Sequence, residues 1–508
     1  MFTATHPFAF FDYFRVPYHV TGPGLTACGP GGHIPGQQPP VGRVRLADDG
    51  GATGPSLFWL RTDAGTGKPA RHQLGGFTFF GAVASDAAVP PILDGIGSGW
   101  QKGQPIRDAD GTAVAAVWQD GRRNVFLPFD PAEVMHMLWS ESYRSAGSPA
   151  LVTAAREAML RAYYLARPTL PRTVQLALRR AFTKAQERSD FPSWPAETSL
   201  HDFYSWLFDL VVGVAGAPVP YLDSWPDQRS WALVLTHDVD TADGQRQVEL
   251  LRSIERERGL TSSWNFVGER YDVDEGLVRS LQEEGCEVGV HGLRHDGKDL
   301  GSWRLMRQRL PGMRHYAQQW GAVGFRSPAT QRHWDMMPCL GFEYDSSYSD
   351  TDLYEPQPGG CCSYLPYFNQ DMVELPITMP MDHTLFAILQ QADGGTWLRK
   401  AGMLRERGGM ALMLTHPDYA ADRRVTDGYR AVLDEFGPDD RAWHALPRDV
   451  AGWWRDRAGS LVSRGSGLAI DGPASDRARI AFAITEAERP MVAPVTPVTP
   501  VAPVAAAS

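Results

Sequence analysis

Apolar positions along the chain fall into two rhythms that change near residue 231. After a start rich in Gly, Pro and aromatics, runs of aromatic and β-branched residues at 56–61, 77–83, 113–117 and 124–129 predict strands. The last of them closes in Leu127-Pro128-Phe129-Asp130. Helical spacing follows over 149–166 and 172–188, with Pro168 and Pro171 between the two. Proline ends one helix and suits the first turn of the next. A third apolar helix is predicted over 201–214, and the prolines of 217–226 (APVPYLDSWP) predict a linker.

From residue 231 the pattern is an alternation. Continuous apolar runs at 231–236, 263–267, 287–290, 323–325, 372–376 and 410–414 are interleaved with helical patterns such as 244–258 and 275–284. Strands buried on both faces read as such runs, and their alternation with helices implies a parallel α/β layer or barrel. A helix near 449–457 and a hairpin from 467–470 to 478–484 come next. Beyond Arg489 the tail (PVTPVTPVAPVAAAS) cannot build a core and predicts disorder.

Composition narrows the function classes. A chain of 508 residues suggests two or three domains, and 43% apolar with 21% charged residues supports packed cores. The net charge of −10 argues against nucleic acid as a partner, because phosphate binding needs a basic footprint. The opening Met-Phe-Thr-Ala-Thr-His-Pro lacks the pattern of a secretory signal. No apolar run approaches the roughly 18 residues of a transmembrane helix. Cys28, Cys286, Cys339, Cys361 and Cys362 are odd in number and lack paired spacings, which argues against a disulfide framework or a cysteine zinc site. A cytoplasmic protein is the expectation; nothing fixes an oligomeric state.

The chemistry gathers at the ends of the apolar runs. The first ends in Thr236-His237-Asp238-Val239-Asp240, the third in His291-Gly292-Leu293-Arg294-His295, the fourth in Arg326-Ser327-Pro328, and the last in Thr415-His416-Pro417. Parallel barrel strands share one mouth at their C-terminal ends, where such folds keep their active sites. Two histidines four apart and one carboxylate are a normal three-ligand set for a catalytic zinc or similar divalent ion, with a position left open for water. A bare H-x3-H is a weak signal, and the D-x-D before it and the R-x-P after it are what strengthen it.

The set T-H-D-V-D, H-G-L-R-H, F-R-S-P and L-T-H-P resembles, in order, the successive motifs of the polysaccharide deacetylase family, in its D-x-D variant subgroup. The resemblance spans 231–417. It implies a distorted (β/α) barrel, a divalent metal such as zinc, and hydrolysis of an acetyl group on a sugar; some members of the family act on other amides or imides. Residue by residue it implies Asp240, His291 and His295 as metal ligands, Asp238 as catalytic base, Arg326 as the arginine holding that base, and His416 as general acid. A backbone N–H near Ala329 is expected to help hold the oxyanion. Val239 separates aspartates that the family usually has adjacent. His237, where the family often has phenylalanine, is read as a wall residue because side chains alternate along a strand. The family's fourth motif has its nearest match at Tyr344–Asp350, without a tryptophan; Asp345, with Asp350 as runner-up, is expected to orient His416, or else Asp345 merely caps the following turn.

The predicted map is an N-terminal α/β accessory domain over 1–222, the (β/α) barrel over 223–460, a hairpin extension over 461–486 and a tail over 487–508. Gly65-Thr66-Gly67-Lys68 lacks the first glycine and the Ser/Thr of a phosphate loop, and the glycines of 29–36 lack a flanking strand and helix. Vicinal Cys361-Cys362 is read as a buried pair of free thiols. Trp264 and Trp334 fall near strand ends and are candidates to line a sugar groove. The leading expectation is a metal-dependent deacetylase acting on an N-acetylated sugar or glycan intermediate. The alternatives are a hydrolase of a small cyclic amide or imide on the same fold and a non-catalytic carbohydrate-binding protein. The third is weakened by the retention of all the motif residues.

Overall fold

A computed structural model of the chain describes residues 7–22, 25–28, 41–46, 54–61, 67–146, 180, 190–355, 357–464 and 467–484. The helices expected over 149–166 and 172–188 (Arg180 apart) and the C-terminal tail lie outside the described residues. The chain is mixed α/β, built around two nine-stranded sheets.

The second sheet carries the motif residues. Its parallel strands are β1 (Trp231–Val239), β2 (Ser263–Phe266), β3 (Glu287–Val290), β4 (Gly324–Phe325), β5 (Tyr344–Asp345), β6 (Met372–Glu374) and β7 (Met410–Thr415). They lie in the order β6-β5-β4-β3-β2-β1-β7, all fully buried, which matches the apolar runs read for six of them; the two-residue β5 carries no such run. Tyr367–Asn369 adds an antiparallel edge to β6, and Ala442–His444 pairs with the start of β1. The layer is curled and barrel-like, and among the described residues no strand ladder joins its two ends, β6 and β7. The run after β6 spans the gap. Leu375 N–H donates to Asp345 O at 2.8 Å, Ile377 N–H to Tyr348 O at 2.8 Å, and Met379 N–H to Leu412 O at 3.2 Å.

The connecting helices start where small polar side chains satisfy otherwise unpaired N–H groups. Thr241 caps Ala242–Arg256, Asp274 caps Glu275–Glu283, Ser302 caps Trp303–Trp320 and Asp422 caps Arg423–Phe436. No helix among the described residues is long and apolar enough to cross a membrane.

The N-terminal sheet is mostly antiparallel. It includes the expected strands as Ser56–Leu60, Phe77–Gly81, Ala113–Gln119 and Val125–Leu127, and is packed by Pro131–Trp139 and Ser199–Ala215. Its core runs without a break into that of the second sheet. Trp139 stacks on Tyr367 with centroids 5.1 Å apart, and the Tyr13 and Tyr143 hydroxyls donate to the carbonyls of Pro366 and Gly360, each at 2.9 Å.

Two local expectations are corrected. The segment expected as a linker holds a strand, Val219–Leu222, paired antiparallel with Ile480–Ala483. Pro220 is accommodated because a two-stranded ribbon leaves each strand an open edge. The expected hairpin between 467–470 and 478–484 does not form: Leu468–Asp471 turns back onto Leu461–Arg464. Ile480–Ala483 is drawn instead to 219–222, where Arg479 pairs with Asp223 and Arg477 with Asp227.

Candidate metal centre

The pleat of β1 decides which of its polar residues meet. Thr236 and Asp238 face the sheet interior, where Arg326 Nη2 donates to Thr236 Oγ1 at 3.2 Å. His237 faces the helices: its Nε2 donates to Glu255 Oε1 at 2.6 Å, its Nδ1 lies 2.8 Å from Thr415 Oγ1, and its ring stacks on Trp264 at 4.0 Å. It is a wall residue, and Trp264, fully buried beside it, lines no groove. Trp334 is half-buried, with its ring 6.3 Å from Tyr367.

Asp240 and the two histidines converge. Asp240 Oδ1 lies 3.2 Å from His291 Nε2 and 2.9 Å from His295 Nε2, and the three ligand atoms fall within 4.8 Å of one another. His291 Nδ1 lies 3.0 Å from Arg326 O; a carbonyl accepts, so that nitrogen carries a proton, and Nε2 is the nitrogen turned to Asp240. Asp240 Oδ1 is buried without a hydrogen-bond partner among the described residues. An unpartnered anionic oxygen between two imidazole nitrogens, at spacings that two bonds of about 2 Å each can bridge, fits a divalent cation. Burial works against the Asp240 anion, but His295 and His291 hold its carboxyl well below the usual range.

The loop between the two histidines has little freedom. Gly292 takes φ +65°, and a Cβ there would come within 2.3 Å of Asp299 Oδ2 and 2.6 Å of the Pro328 ring. Asp299 accepts from Leu293 N–H at 3.1 Å, and Arg309 holds both Asp299 and Asp296.

Asp238 is buried beside this cluster. Its Oδ1 accepts from Asn265 Nδ2 at 2.8 Å, while its Oδ2 lies 3.7 Å from both His291 Nε2 and Arg326 Nη1. Burial raises its pKa, but His291, Arg326 and His416 together bring it below the ordinary value. Arg326 is therefore an electrostatic neighbour of Asp238; its hydrogen bonds go to Thr236 and to Ser346 Oγ, the latter at 2.9 Å. Asn265 was not foreseen, although strand register marks it, because it is the β2 residue directly opposite Asp238.

His416 is oriented by a different aspartate from the one expected. Its Nδ1 lies 2.7 Å from Asp382 Oδ1, and its backbone N–H donates to Asp382 Oδ2 at 2.7 Å. Burial disfavours the imidazolium, yet Asp382, then Asp240 and Asp238, carry His416 up to about 10. Asp345 instead accepts from Ser347 Oγ at 2.7 Å and shares a buried pocket with Glu374, where burial pushes both carboxyls up. Asp350 pairs with Lys400 at 2.5 Å. The cause is topological. Asp345 lies in β5, between β4 and β6, whereas the run leaving β6 crosses to β7 and delivers Asp382 beside His416.

The structure thus brings Asp238, Asp240, His291, His295 and Arg326 together, sets His416 within electrostatic reach, and leaves Asp345 out. No family model and no curated protein matches the chain. Similar solved structures include a "putative polysaccharide deacetylase" from Mycobacterium smegmatis, at 21% identity over 48% of this chain and 95% of that one, TM-score 0.39. Puue allantoinase matches at 15% identity over 46% of this chain and 93% of that one, TM-score 0.38. A "probable Polysaccharide deacetylase" from Pseudomonas aeruginosa PAO1 matches at 18% identity over 48% and 97%, TM-score 0.38. Each likeness covers less than half of this chain.

Proposed function

We propose that this chain is a metal-dependent hydrolase that removes an acetyl group from an N-acetylated sugar or glycan intermediate. The observation that carries the hydrolase reading is the unpartnered Asp240 oxygen between His291 Nε2 and His295 Nε2, with a free oxygen of Asp238 alongside. The acetylated-sugar substrate rests on the resemblance of the four sequence motifs. A divalent ion held by Asp240, His291 and His295 would supply water activation and polarisation of the acyl carbonyl.

The remaining steps belong to the chain's own groups. Asn265 occupies Oδ1 of Asp238, so Oδ2 is the oxygen that takes the proton of the attacking water. The lowered pKa keeps that carboxylate in its ionised form. His416 donates Nδ1–H to Asp382, so its Nε2–H serves the leaving amine, and the raised pKa keeps that proton in place at neutral pH. One proton of the water thus goes to Asp238 and the other stays on its oxygen, the amine receives a proton from His416, and the acyl group leaves as acetic acid carrying the former water oxygen.

The test is acetate release by zinc-loaded protein from a panel of N-acetylated amino sugars, run beside ring opening of cyclic amides and imides. Acetate release from the sugars is the expected result. Ring opening alone would move the substrate to the cyclic amides, and absence of both reactions would overturn the hydrolase reading.

A further inference from the structure

Between β4 and the residues beyond it the backbone makes a turn that its sequence does not favour. Ala329 and Thr330 take φ +55° and +48°, two successive L-residues in the left-handed region without a glycine or asparagine. Side chains there crowd the backbone, and such conformations persist only where the surroundings hold them. The turn abuts the candidate metal centre. Arg326, just before it, bonds its carbonyl to His291 Nδ1, and the Pro328 ring fills the space that any side chain at Gly292 would need.

What holds the turn from the other side is Arg332. Its Nη1 donates to the carbonyl of Thr330 at 3.0 Å and its Nη2 to that of Gln357 at 3.0 Å, while Gln357 exchanges amide bonds with the Arg332 backbone, each at 3.2 Å. The guanidinium also lies over the Tyr348 ring at 5.6 Å. Its charge is met by a residue 191 positions earlier: Nε donates to Glu141 Oε1 at 2.7 Å and Nη2 to Oε2 at 2.9 Å. Both side chains are almost fully buried. Glu141 follows the helix Pro131–Trp139 and itself takes φ +56°. A buried ion pair is a weak device for stability alone, because desolvation offsets its attraction, but it fixes the direction of both groups.

We propose that Glu141, from the N-terminal region, is a positioning residue of the site: through Arg332 it holds the turn Pro328–Thr330 against the loop that carries His291 and His295. The N-terminal region is then part of the frame of the site. The effect on turnover rests on the hydrolase reading; the effect on the turn does not.

The test uses full-length protein with Glu141→Gln, which keeps shape and removes charge. Glu141→Asp keeps the charge but withdraws it by one methylene, as a guard against a variant that does not fold. Hydrogen–deuterium exchange should rise in peptides covering 327–332 and stay at the wild-type level in β1, with zinc content unchanged. On the substrate identified, kcat should fall about tenfold or more with KM altered much less, because a displaced turn misplaces groups needed in the transition state. Unchanged exchange over 327–332 in both variants would overturn the clamp. Raised exchange with wild-type kcat would overturn its role in positioning. A wild-type protein without turnover would sink the hydrolase reading alone, since exchange reads the clamp without substrate.

Discussion

Asp238, in β1, and Asp240, one residue beyond its end, stand two apart, and their neighbours differ. Asp240 keeps one oxygen free of hydrogen bonds between two imidazoles, whereas Asp238 has one oxygen taken by Asn265 and the other near Arg326. Replacing His295 by Ala should therefore remove bound metal and turnover together. Replacing His416 by Ala should leave the metal and lower kcat by about two to four powers of ten, the range for a general acid. Metal analysis by mass spectrometry beside an acetate-release assay checks both; a His416→Ala protein that has lost its metal would refute the division. Asp382→Asn adds a pH signature. A general acid works while protonated, so its pKa sets the alkaline limb of the profile. Asp382 is the largest support of the His416 imidazolium, so its loss should move that limb to lower pH, toward the ordinary histidine value near ~6.5. An unmoved limb would count against Asp382. Of these residues, Asp240, His291 and His295 were legible because each lies within a short motif at the end of an apolar run. Asp382 was not, because it follows a run with no strand ladder of its own and meets His416 only through the crossing from β6 to β7.

At the scale of elements, continuous apolar runs located six of the seven parallel strands because both faces of the sheet are covered, and missed β5, whose two residues, Tyr344 and Asp345, form no run. β1 runs on to Val239, three residues past its apolar run, because Thr236, His237 and Asp238 keep ladder bonds to β2 while their side chains find partners. Glu287, at the start of β3, ties elements together at the other end of the sheet. It accepts from the Tyr344 hydroxyl of β5 at 2.7 Å and from Arg448 N–H, in the first turn of Pro447–Ala458, at 3.0 Å. Burial pushes its carboxyl up from 4.5 to about 7. Between those values the folded chain keeps a proton that the unfolded chain has released. Stability from this group therefore falls as pH rises through the window, and the whole cost, about 3 kcal/mol, is present above pH ~7. Glu287→Gln keeps shape and hydrogen bonding without a proton to lose. In urea titrations the variant should match wild type near pH 4.5 and exceed it by about 3 kcal/mol at pH 8. A difference between the two proteins that does not change with pH would refute the assignment.

At the scale of the whole molecule, the segment 217–226 read as a boundary because three prolines exclude helix and central strand, a rule that says nothing about a two-stranded ribbon closed by residues 480–483. Arg457, on the C-terminal helix Pro447–Ala458, makes that region a junction. Its Nη1 donates to Tyr13 O at 2.7 Å, its Nη2 to Leu222 O at 2.8 Å and its Nε to Asp223 O at 2.8 Å, so one side chain joins the helix Ala9–Phe14, the 219–222 strand and the helix Pro447–Ala458. Burial lowers its pKa to about 10, still far enough above neutral for the group to carry its charge. With one core continuous across both sheets, the described parts should unfold in a single calorimetric transition, and mild proteolysis should spare 217–226. Arg457→Met keeps an unbranched stem but removes the guanidinium, which lies over the Trp454 ring at 4.9 Å and is the donor to three carbonyls. The Tyr13 and Leu222 carbonyls are buried and that of Asp223 partly so; at about 1–3 kcal/mol for each buried group left unpaired, the variant should lose at least about 2 kcal/mol. Because the lost bonds join the two regions, it should also begin to separate the transition into two and admit cleavage within 217–226. Two transitions in the wild type would show that the regions fold independently, and a single, wild-type-like transition in Arg457→Met would remove Arg457 as their fastening.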